Sequence, residues 1–476
     1  MITVLAAVLS GAMFYLSQGF DHAWPLAWLA PVPLLWLAYG KAPNWQVMAA
    51  SAAAILAGVG YILQSPYLPL IPPLVIISSV GIYTALFCGG VWFARFVQRR
   101  ASPVLTLLAF PACWTAFEFL MEMRSPNGTY GSFAYSTLGA PVLIQSASLF
   151  GMWALTFLMC LFANTLAMAL RPKRAAAAAI GAGAFICVVN LVFGIVRLAR
   201  AQPDTLRVAA IVDETAVANS WRAHSLPAAL EVTETYAREI RLAASQGARF
   251  AVTPEGGMAS IPDAQAAIIS PLVAAARDTG VQIIAGFHSD SPAGDFALSI
   301  APDGRVQRYD KRHRVPGLED RYTAGRVSGW LGDGRGMEIC KDMDFPDTIR
   351  ADAAKGVRLM GVPAGDMGID GWQHGIMSVM RGVEDGFATV RAAHDGLVFA
   401  SDAQGRLVAL RKDAPTGLTM IIADLALGPG PTLYTRIGNV FPWICVIFSL
   451  TLGAGAAFAR GQLFGRRGLH EAARTG

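Results

Sequence analysis

The chain contains 476 residues, of which 54% are hydrophobic and only 15% are charged; the formal net charge is +5 and the mean hydropathy is +0.45. Soluble domains carry about 25% charged residues, so the composition is that of a membrane protein. The basic residues cluster beside apolar segments, which argues against a nucleic-acid partner. Of the six cysteines only Cys340 lies outside those segments, which excludes a disulfide framework.

Apolar segments near 20 residues are long enough to cross a bilayer as helices, and eight such spans are predicted. They lie at 2–20, 24–40, 45–63, 70–95, 103–122, 146–170, 175–198 and 437–459. The first lacks a basic flank and a cleavage site, so we expect a retained span rather than a signal peptide. The predicted domains are a helical membrane domain at 1–199 with about seven spans, an α/β domain at 200–434, a last span at 435–460 and a basic cytoplasmic tail at 461–476.

Basic residues in short loops mark the cytoplasmic side of a membrane protein. They occur after the predicted fourth, sixth and eighth spans: Arg95, Arg99, Arg100, Arg171, Lys173, Arg174, Arg460, Arg466 and Arg467. Lys41, between the second and third spans, agrees with the same orientation. Seven spans then place the α/β domain outside the cytoplasm.

Two features of the membrane domain bear on function. Glu118 lies inside the predicted fifth span, where a carboxylate is costly; it either contacts a lipid headgroup or forms a structural hydrogen bond to a neighbouring helix. The loop at 124–135 is rich in glycine, serine and tyrosine. It is expected on the same side as the α/β domain, where it could line a mouth between membrane and active site.

Strand-like apolar segments alternate with amphipathic helices between 206 and 410, which predicts an α/β sandwich. The predicted strands are 206–212, 249–253, 281–285 and 359–362; the helices are 227–246, 271–279, 345–355 and 373–389; the hairpins are 296–309 and 398–410.

Three residues with complementary chemistry each follow a strand or a probable hairpin: Glu255, Lys311 and Cys340. Open α/β sheets place their sites at strand ends, so residues 56 and 29 positions apart can converge there. A thiol needs a base to become a nucleophile, and Glu255 can accept its proton. The ammonium of Lys311 can stabilise the thiolate and the oxyanion of a tetrahedral intermediate.

The sequences around these residues resemble the nitrilase (carbon–nitrogen hydrolase) superfamily. The matching segments are Thr253-Pro254-Glu255, Tyr309-Asp310-Lys311, Glu338-Ile339-Cys340-Lys341-Asp342, Arg381-Gly382-Val383-Glu384 and Ala403-Gln404-Gly405. The frame of eight spans, the segment from Pro141 to Gly151, and Glu319 eight residues after the lysine are similar to one branch, the apolipoprotein N-acyltransferases.

The resemblance implies an αββα sandwich outside the bacterial inner membrane, on the periplasmic side. It implies Cys340 as nucleophile, Glu255 as general base and Lys311 as oxyanion stabiliser, with Glu319, Lys341 and Asp342 in support. An acyl chain would pass from a phospholipid donor to the thiol, and then to the α-amino group of a lipidated apolipoprotein. No metal or cofactor is expected.

Two departures from that branch keep alternatives open. Lys341 stands where the family usually has an aromatic residue, and the segment from Glu319 to Cys340 is short. A membrane-tethered amidase, an acyltransferase with another amine acceptor, and a catalytically silent relative therefore remain. Arg381 and Glu384 are expected to form a structural ion pair, and His374 either packs or touches substrate. A serine-hydrolase elbow and a P-loop are both absent from the sequence.

Overall fold

The computed structural model describes residues 1–472 apart from positions 21, 67, 172, 173 and 203, with side chains described as far as Phe458 except at position 70. The predicted basic tail is described only as backbone up to Ala472, so the side chains of Arg460, Arg466 and Arg467 lie outside the described residues, as does Lys173.

The first part of the chain is helical. Its helices are α1 Ile2–Gln18, α2 Trp24–Leu29, α3 Val32–Ala38, α4 Asn44–Gly58, α5 Pro73–Gln98, α6 Pro103–Glu122, α7 Ala147–Phe150, α8 Met152–Ala169 and α9 Ala177–Leu198. Within the described residues, six helices are long and apolar enough to cross a membrane, the last of them at Val440–Phe458. The predicted first two spans correspond to shorter apolar helices, Ile2–Gln18 and Trp24–Ala38, so the count of eight stays a prediction.

Local chemistry explains where two predicted spans differ from the helices observed. The second is divided into α2 and α3 at Ala30, next to Pro31, because proline removes a backbone donor and disrupts the preceding turn. The predicted sixth span does not begin at 146, because the chain turns at Gly151, which has a φ of +72°. This turn separates the short helix α7 from the long helix α8. A side chain at Gly151 would also collide with the ring of Tyr434.

Glu118 on α6 forms structural hydrogen bonds. Its two carboxylate oxygens accept from the Phe133 backbone N–H at 2.7 Å and from Thr156 Oγ1 at 2.6 Å. The residue is 1% exposed, so no oxygen is left to meet a lipid headgroup. Its carboxylate instead ties α6 to α8 and to the loop that follows α6.

The α/β part contains two sheets. Its strands are β1 Thr205–Asp213, β2 Phe250–Val252, β3 Met258–Ser260, β4 Gln282–Asp290, β5 Ala293–Ile300, β6 Val306–Asp310, β7 Trp330–Gly332, β8 Arg335–Met337, β9 Leu359–Gly365, β10 Ala388–His394, β11 Leu397–Ser401, β12 Leu407–Lys412 and β13 Leu418–Ala426. Its helices, with the two that follow it, are α10 Glu214–Ser220, α11 Leu226–Ser245, α12 Gln265–Thr279, α13 Pro346–Ala353, α14 Gly371–Asp385, α15 Leu433–Ile437 and α16 Val440–Ala472.

The sheets form the middle layers of an αββα sandwich. One sheet has the order β13-β1-β2-β4-β5-β6, with β3 beside β4, and the other has the order β12-β11-β10-β9-β8-β7. Side chains such as Val208, Ile284 and Val390 fill the space between them. Helices α11 and α12 cover the first sheet and α13 and α14 cover the second. The nitrilase-like α/β sandwich expected from the sequence is therefore present.

The predicted helix at 373–389 ends too late. Helix α14 stops at Asp385, and Gly386 caps it in the left-handed conformation with φ +79°, the usual role of glycine at this position. The chain then enters β10, a parallel partner of β9 that the sequence pattern merged with the helix. Strand β13 was also not predicted; it pairs antiparallel with β1 along nine residues.

Candidate active site

The three predicted functional residues come together at the ends of three strands. Glu255 follows β2, Lys311 directly follows β6, and Cys340 lies shortly after β8. Backbone hydrogen bonds fix these loops: the Glu255 N–H donates to Ala364 at 3.2 Å and the Lys311 N–H donates to Asp295 at 3.0 Å. The convergence expected from strand-end placement is therefore observed.

Lys311 lies at the centre of a buried cluster of carboxylates. Its ammonium contacts the carboxylate of Glu255, lies 2.6 Å from Glu319 Oε1 and lies 3.3 Å from Asp295 Oδ2. The lysine side chain is only 3% exposed. Although burial disfavours its charged form, the surrounding carboxylates, Glu255 foremost, hold the pKa of Lys311 well above its ordinary value. The lysine is therefore a fixed cation.

The carboxylates of the cluster differ in how readily they ionise. Burial raises the pKa of Glu255, but the Lys311 ammonium and hydrogen bonds from Asp295, Lys311 and Cys340 outweigh it and hold that pKa at about 2. Burial and repulsion from Glu255 raise the pKa of Asp295 well above its usual value. Burial also raises the pKa of Glu319, opposed by Lys311. Within the cluster, ionisation is therefore favoured at Glu255, the candidate base, and the protonated form is favoured at Asp295.

Asp295 is the member of this cluster that sequence reasoning missed. It lies on β5, on the same face as Ala297, which packs between the sheets. A carboxylate on the inward face of a strand was the available signal, because buried acids are rare unless paired. The predicted strand began at 296, three residues after the observed start at Ala293, and so left Asp295 in the preceding turn.

Cys340 is held at the start of a tight turn. It has a φ of +40°, which is uncommon for a residue other than glycine, and it begins the 3₁₀ turn Cys340–Asp344. Its Sγ lies 3.4 Å from the carbonyl oxygen of Gly365. Burial, with repulsion from Glu255, raises the pKa of the thiol well above its usual value, opposed by Lys311 and Arg391. The resting group is therefore a thiol, and its proton must move when it attacks.

Asp342 joins the nucleophile turn to the lysine loop. Its carboxylate accepts hydrogen bonds from the N–H of Ile339 at 3.2 Å, the N–H of His313 at 2.8 Å and the hydroxyl of Tyr309 at 2.7 Å. The side chain is fully buried. Asp342 thus fixes the relative position of Cys340 and Lys311 without contacting either.

Lys341 points away from the carboxylate cluster and towards the membrane domain. Its Nζ donates to Asn127 Oδ1 at 3.1 Å and lies 3.5 Å from Asp344 Oδ2. Thr129 strengthens the same junction, because its N–H and its hydroxyl both donate to the carbonyl of Asp344, at 2.9 and 2.8 Å. The loop at 124–135 therefore rests directly on the nucleophile turn.

Helix α14 provides the second part of this junction. Tyr130 stacks on His374 with ring centroids 5.0 Å apart, which gives His374 a packing role. The Arg381–Glu384 ion pair is present at 3.0 Å with both side chains fully buried. Glu384 also accepts a 2.6 Å hydrogen bond from the Met152 N–H, the first residue of α8.

A cavity of ≈ 580 Å³ lies between α14 and the ends of the membrane helices. It is lined by aromatic side chains from both parts, among them Trp24, Tyr61, Tyr130, Tyr135 and Trp372. Such a mixture of apolar rings and polar tips is common where protein meets a lipid–water interface.

Trp221 forms an exposed aromatic rim beside the base. Its ring is 43% exposed and stacks on His288 with centroids 3.9 Å apart. Gly256, with φ +58°, lies under it, and a Cβ there would meet the indole at 2.8 Å. Sequence reasoning did not single out this residue, because one tryptophan beside a short helix carries no pattern.

The three carboxylates around Lys311 also have the separation of a metal site, since one oxygen from each lies within 4.8 Å of the others. The Lys311 ammonium contacts all three of them. The ammonium therefore lies where a metal ion would have to bind.

Both parts of the chain match known protein families. Residues 10–165 match the apolipoprotein N-acyltransferase N-terminal domain, and residues 207–428 match the carbon–nitrogen hydrolase family. An apolipoprotein N-acyltransferase of Geobacter metallireducens is 27% identical over 98% of this chain and 96% of its own length. One of Gloeobacter violaceus is 26% identical over 80% of this chain and 77% of its own. Among solved structures, an amidase from Nesterenkonia sp. matches with a TM-score of 0.38 and 23% identity over 49% of this chain and 92% of that one.

Proposed function

Because its two parts match those two families in this order, the chain belongs to the apolipoprotein N-acyltransferase family, and we propose that Cys340 carries an acyl chain from a membrane phospholipid to a lipidated N-terminal cysteine. The observation that carries the mechanism is the buried cluster of an ionised Glu255, a fixed Lys311 cation and the Cys340 thiol. A bacterial membrane enzyme is supported by the long apolar helices. It is also supported by the match of residues 10–165 to the apolipoprotein N-acyltransferase N-terminal domain and of residues 207–428 to the carbon–nitrogen hydrolase family.

The first half-reaction is acylation of the thiol. Glu255 takes the proton from Cys340 as Sγ attacks the ester carbonyl of the phospholipid. The negative charge that develops on the carbonyl oxygen is stabilised by Lys311. When the tetrahedral intermediate collapses, the C–O bond breaks, Glu255 returns the proton to the leaving alkoxide, and a lysophospholipid departs from the thioester.

The second half-reaction transfers the acyl group to an amine. The α-amino group of the lipidated cysteine attacks the thioester carbonyl and gives one proton to Glu255. Lys311 again faces the oxyanion, the C–S bond breaks, and Glu255 returns the proton to the Cys340 sulfur. The products are an N-acylated lipoprotein and the free thiol, so no outside reductant, oxidant or cofactor is consumed.

Supporting residues fix this machinery in place. Glu319 and Asp295 hold the Lys311 ammonium in place, and Asp342 holds the turn that carries Cys340. Lys341 does not contact the cluster. We therefore assign it a positioning role, in which it joins the nucleophile turn to the loop at 124–135.

The proposed location is the bacterial inner membrane, with residues 200–434 in the periplasm and about seven spans before them. The distribution of basic residues supports this orientation, and the aromatic cavity beside α14 supports lateral entry of a diacyl lipid. The orientation is testable with single cysteines at Asp303, in an exposed turn, and at Lys41. An impermeant maleimide applied to intact spheroplasts should label the first and not the second; the reverse pattern would contradict the orientation.

The reaction is tested by incubating the purified full chain with a phospholipid labelled in its acyl chain. Label should appear on the protein, hydroxylamine should remove it, and Cys340→Ala should abolish it, while Cys187→Ala in α9 should label like the wild type. Equal labelling of Cys340→Ala would refute the thioester. Adding a diacylglyceryl-cysteine peptide should then move the label to the peptide amine.

The segment from Glu319 to Cys340 is short, and this favours a second candidate function. The second candidate is a membrane-tethered amidase or an acyltransferase with another amine acceptor. The same experiment separates the candidates. Release of ammonia from simple amides without acylation of the peptide selects the amidase, and acylation of a different amine selects the second acyltransferase.

A further inference from the structure

A second cleft lies where the last apolar helix leaves the α/β domain. It is an open cleft of ≈ 760 Å³, formed by α13, by the link between α15 and α16, and by the first turns of α16. None of the residues that line it belongs to the cluster around Lys311. It is therefore not explained by the proposed chemistry.

The end of the cleft nearest the α/β domain is positively charged. Arg436 is exposed and forms no hydrogen bond or ion pair with any residue that the structure describes. Arg350 lies 3.0 Å from Asp347 Oδ1, an oxygen that also accepts from Asn439 Nδ2 at 2.9 Å. The Nε of Arg350 is buried and has no hydrogen-bond partner among the described residues. Two guanidinium groups and one carboxylate leave this rim with a net charge of +1.

The other end of the cleft is apolar and continues along α16. One face of α16 carries four apolar side chains at positions i, i+3, i+4 and i+7. They are Val440, Trp443, Ile444 and Ile447. All four side chains are between 44% and 61% exposed. They begin the stretch Val440–Phe458, which is long and apolar enough to span a membrane, so this face points towards lipid.

We propose that this cleft binds one anionic phospholipid of the outer leaflet, with its phosphate on Arg350 and Arg436 and an acyl chain along the exposed face of α16. Guanidinium groups suit phosphate because they donate two parallel hydrogen bonds, and the first turn of a helix adds backbone N–H groups and a positive dipole. A soluble anion would use the arginines but not the apolar stripe. The net charge of +1 favours a lipid with one negative charge over one whose ammonium adds a positive charge.

Such a lipid would connect the active-site half of the molecule to its last span. Arg350 belongs to α13, which begins two residues after the turn Cys340–Asp344, while Val440 and Trp443 belong to α16. The bound lipid would then act as a clamp between the nucleophile turn and the membrane. This role is independent of the acyl donor.

The test measures lipid binding to the full chain in detergent by native mass spectrometry, with phosphatidylglycerol and phosphatidylcholine titrated separately. Wild type should retain phosphatidylglycerol in preference to phosphatidylcholine. Arg350→Gln/Arg436→Gln should bind phosphatidylglycerol about a hundredfold more weakly, because each of the two changes removes a charged hydrogen bond and each such bond corresponds to about tenfold in affinity. The matched control is Arg241→Gln on α11, a partly exposed arginine paired with Asp278, which should bind like the wild type.

Because Arg350 also packs on Gly438, the single variant Arg436→Gln guards against misfolding, since its side chain has no partner to lose. It should weaken phosphatidylglycerol binding while leaving the hydroxylamine-labile label on Cys340 unchanged. Unchanged phosphatidylglycerol binding in both variants would overturn the proposal. Equal binding of the two lipids, or displacement by millimolar inorganic phosphate, would also overturn it, the latter by indicating a site for free phosphate.

Discussion

The proton assigned to Asp295 makes an asymmetric prediction for two conservative substitutions in the lysine cluster. Glu319 is 2.6 Å from the Lys311 ammonium through Oε1, and its Oε2 accepts from the Val315 N–H at 2.7 Å. A glutamine has one acceptor for these two donors, so Glu319→Gln loses one charge-assisted hydrogen bond. Such a bond contributes about 1.5–3 kcal/mol, and the expected loss in acylation rate is about tenfold to about a hundredfold.

Asp295→Asn should cost much less, although Asp295 is the more deeply buried carboxylate. Burial and repulsion from Glu255 raise its pKa and so favour its protonated form. In that form the carboxyl group can donate a hydrogen bond to Glu255, and the amide of asparagine can donate in the same way. The expected loss is within about threefold, on the usual scale for a preserved hydrogen bond.

The assay for both variants is single-turnover transfer of a labelled acyl chain from phospholipid to Cys340. Glu231→Gln, an exposed position on α11, is the matched control and should react like the wild type. Equal losses in the two cluster variants would refute the assignment of the proton to Asp295. A loss of less than about twofold in Glu319→Gln would refute the role of Glu319 in holding the lysine, since it lies below the cost of one charged hydrogen bond.

Two further substitutions separate electrostatics from chemistry and from docking. After burial, repulsion from Glu255 is what raises the pKa of the Cys340 thiol, so Glu255→Gln should lower that pKa and speed alkylation of the thiol by iodoacetamide at pH 8. The same variant should slow acyl transfer by about a hundredfold or more, because the general base is lost. Slower alkylation would contradict the stated repulsion. Glu384→Gln leaves the buried Arg381 charged and without its carboxylate, and should lower the free energy of unfolding by about 3–5 kcal/mol. The measurement is the unfolding temperature, with Glu231→Gln as the control. An unchanged unfolding temperature would exclude a structural ion pair.

The convergence of the catalytic residues was predictable because each of them follows a strand, and open α/β sheets place their sites at strand ends. The sequence did not show that β2 and β6 belong to one sheet and β8 to the other. Asp295 was not predicted, because its position depends on where β5 begins, and element boundaries are the least certain feature of a sequence pattern. The α/β sandwich followed from the alternation of strands and helices, and its αββα layering from the family resemblance. The end of α14 at Gly386 was hidden by apolar residues that continue from the helix into β10.

The contacts between the membrane part and the α/β part were beyond reach of the sequence for a different reason. The bond from Met152 to Glu384 joins residues 232 positions apart, and that from Thr129 to Asp344 joins residues 215 positions apart. Neither pair has a local pattern, since each depends on how two separately folded surfaces meet. Sequence reasoning placed the loop at 124–135 on the correct face, but it could not identify which backbone atom the loop would bind.

These two contacts hold the nucleophile turn in a fixed position relative to the apolar helices. The carboxylate of Glu384 sits at the first residue of α8, where the helix dipole favours negative charge, and Arg381 neutralises the same carboxylate from its own helix. Thr129 meanwhile binds the last residue of the nucleophile turn through both its N–H and its hydroxyl. Because one contact anchors α14 and the other anchors the turn itself, the α/β domain cannot tilt without breaking a buried hydrogen bond. The position of Cys340 relative to the apolar helices is therefore set by the packing of α8 and the loop at 124–135.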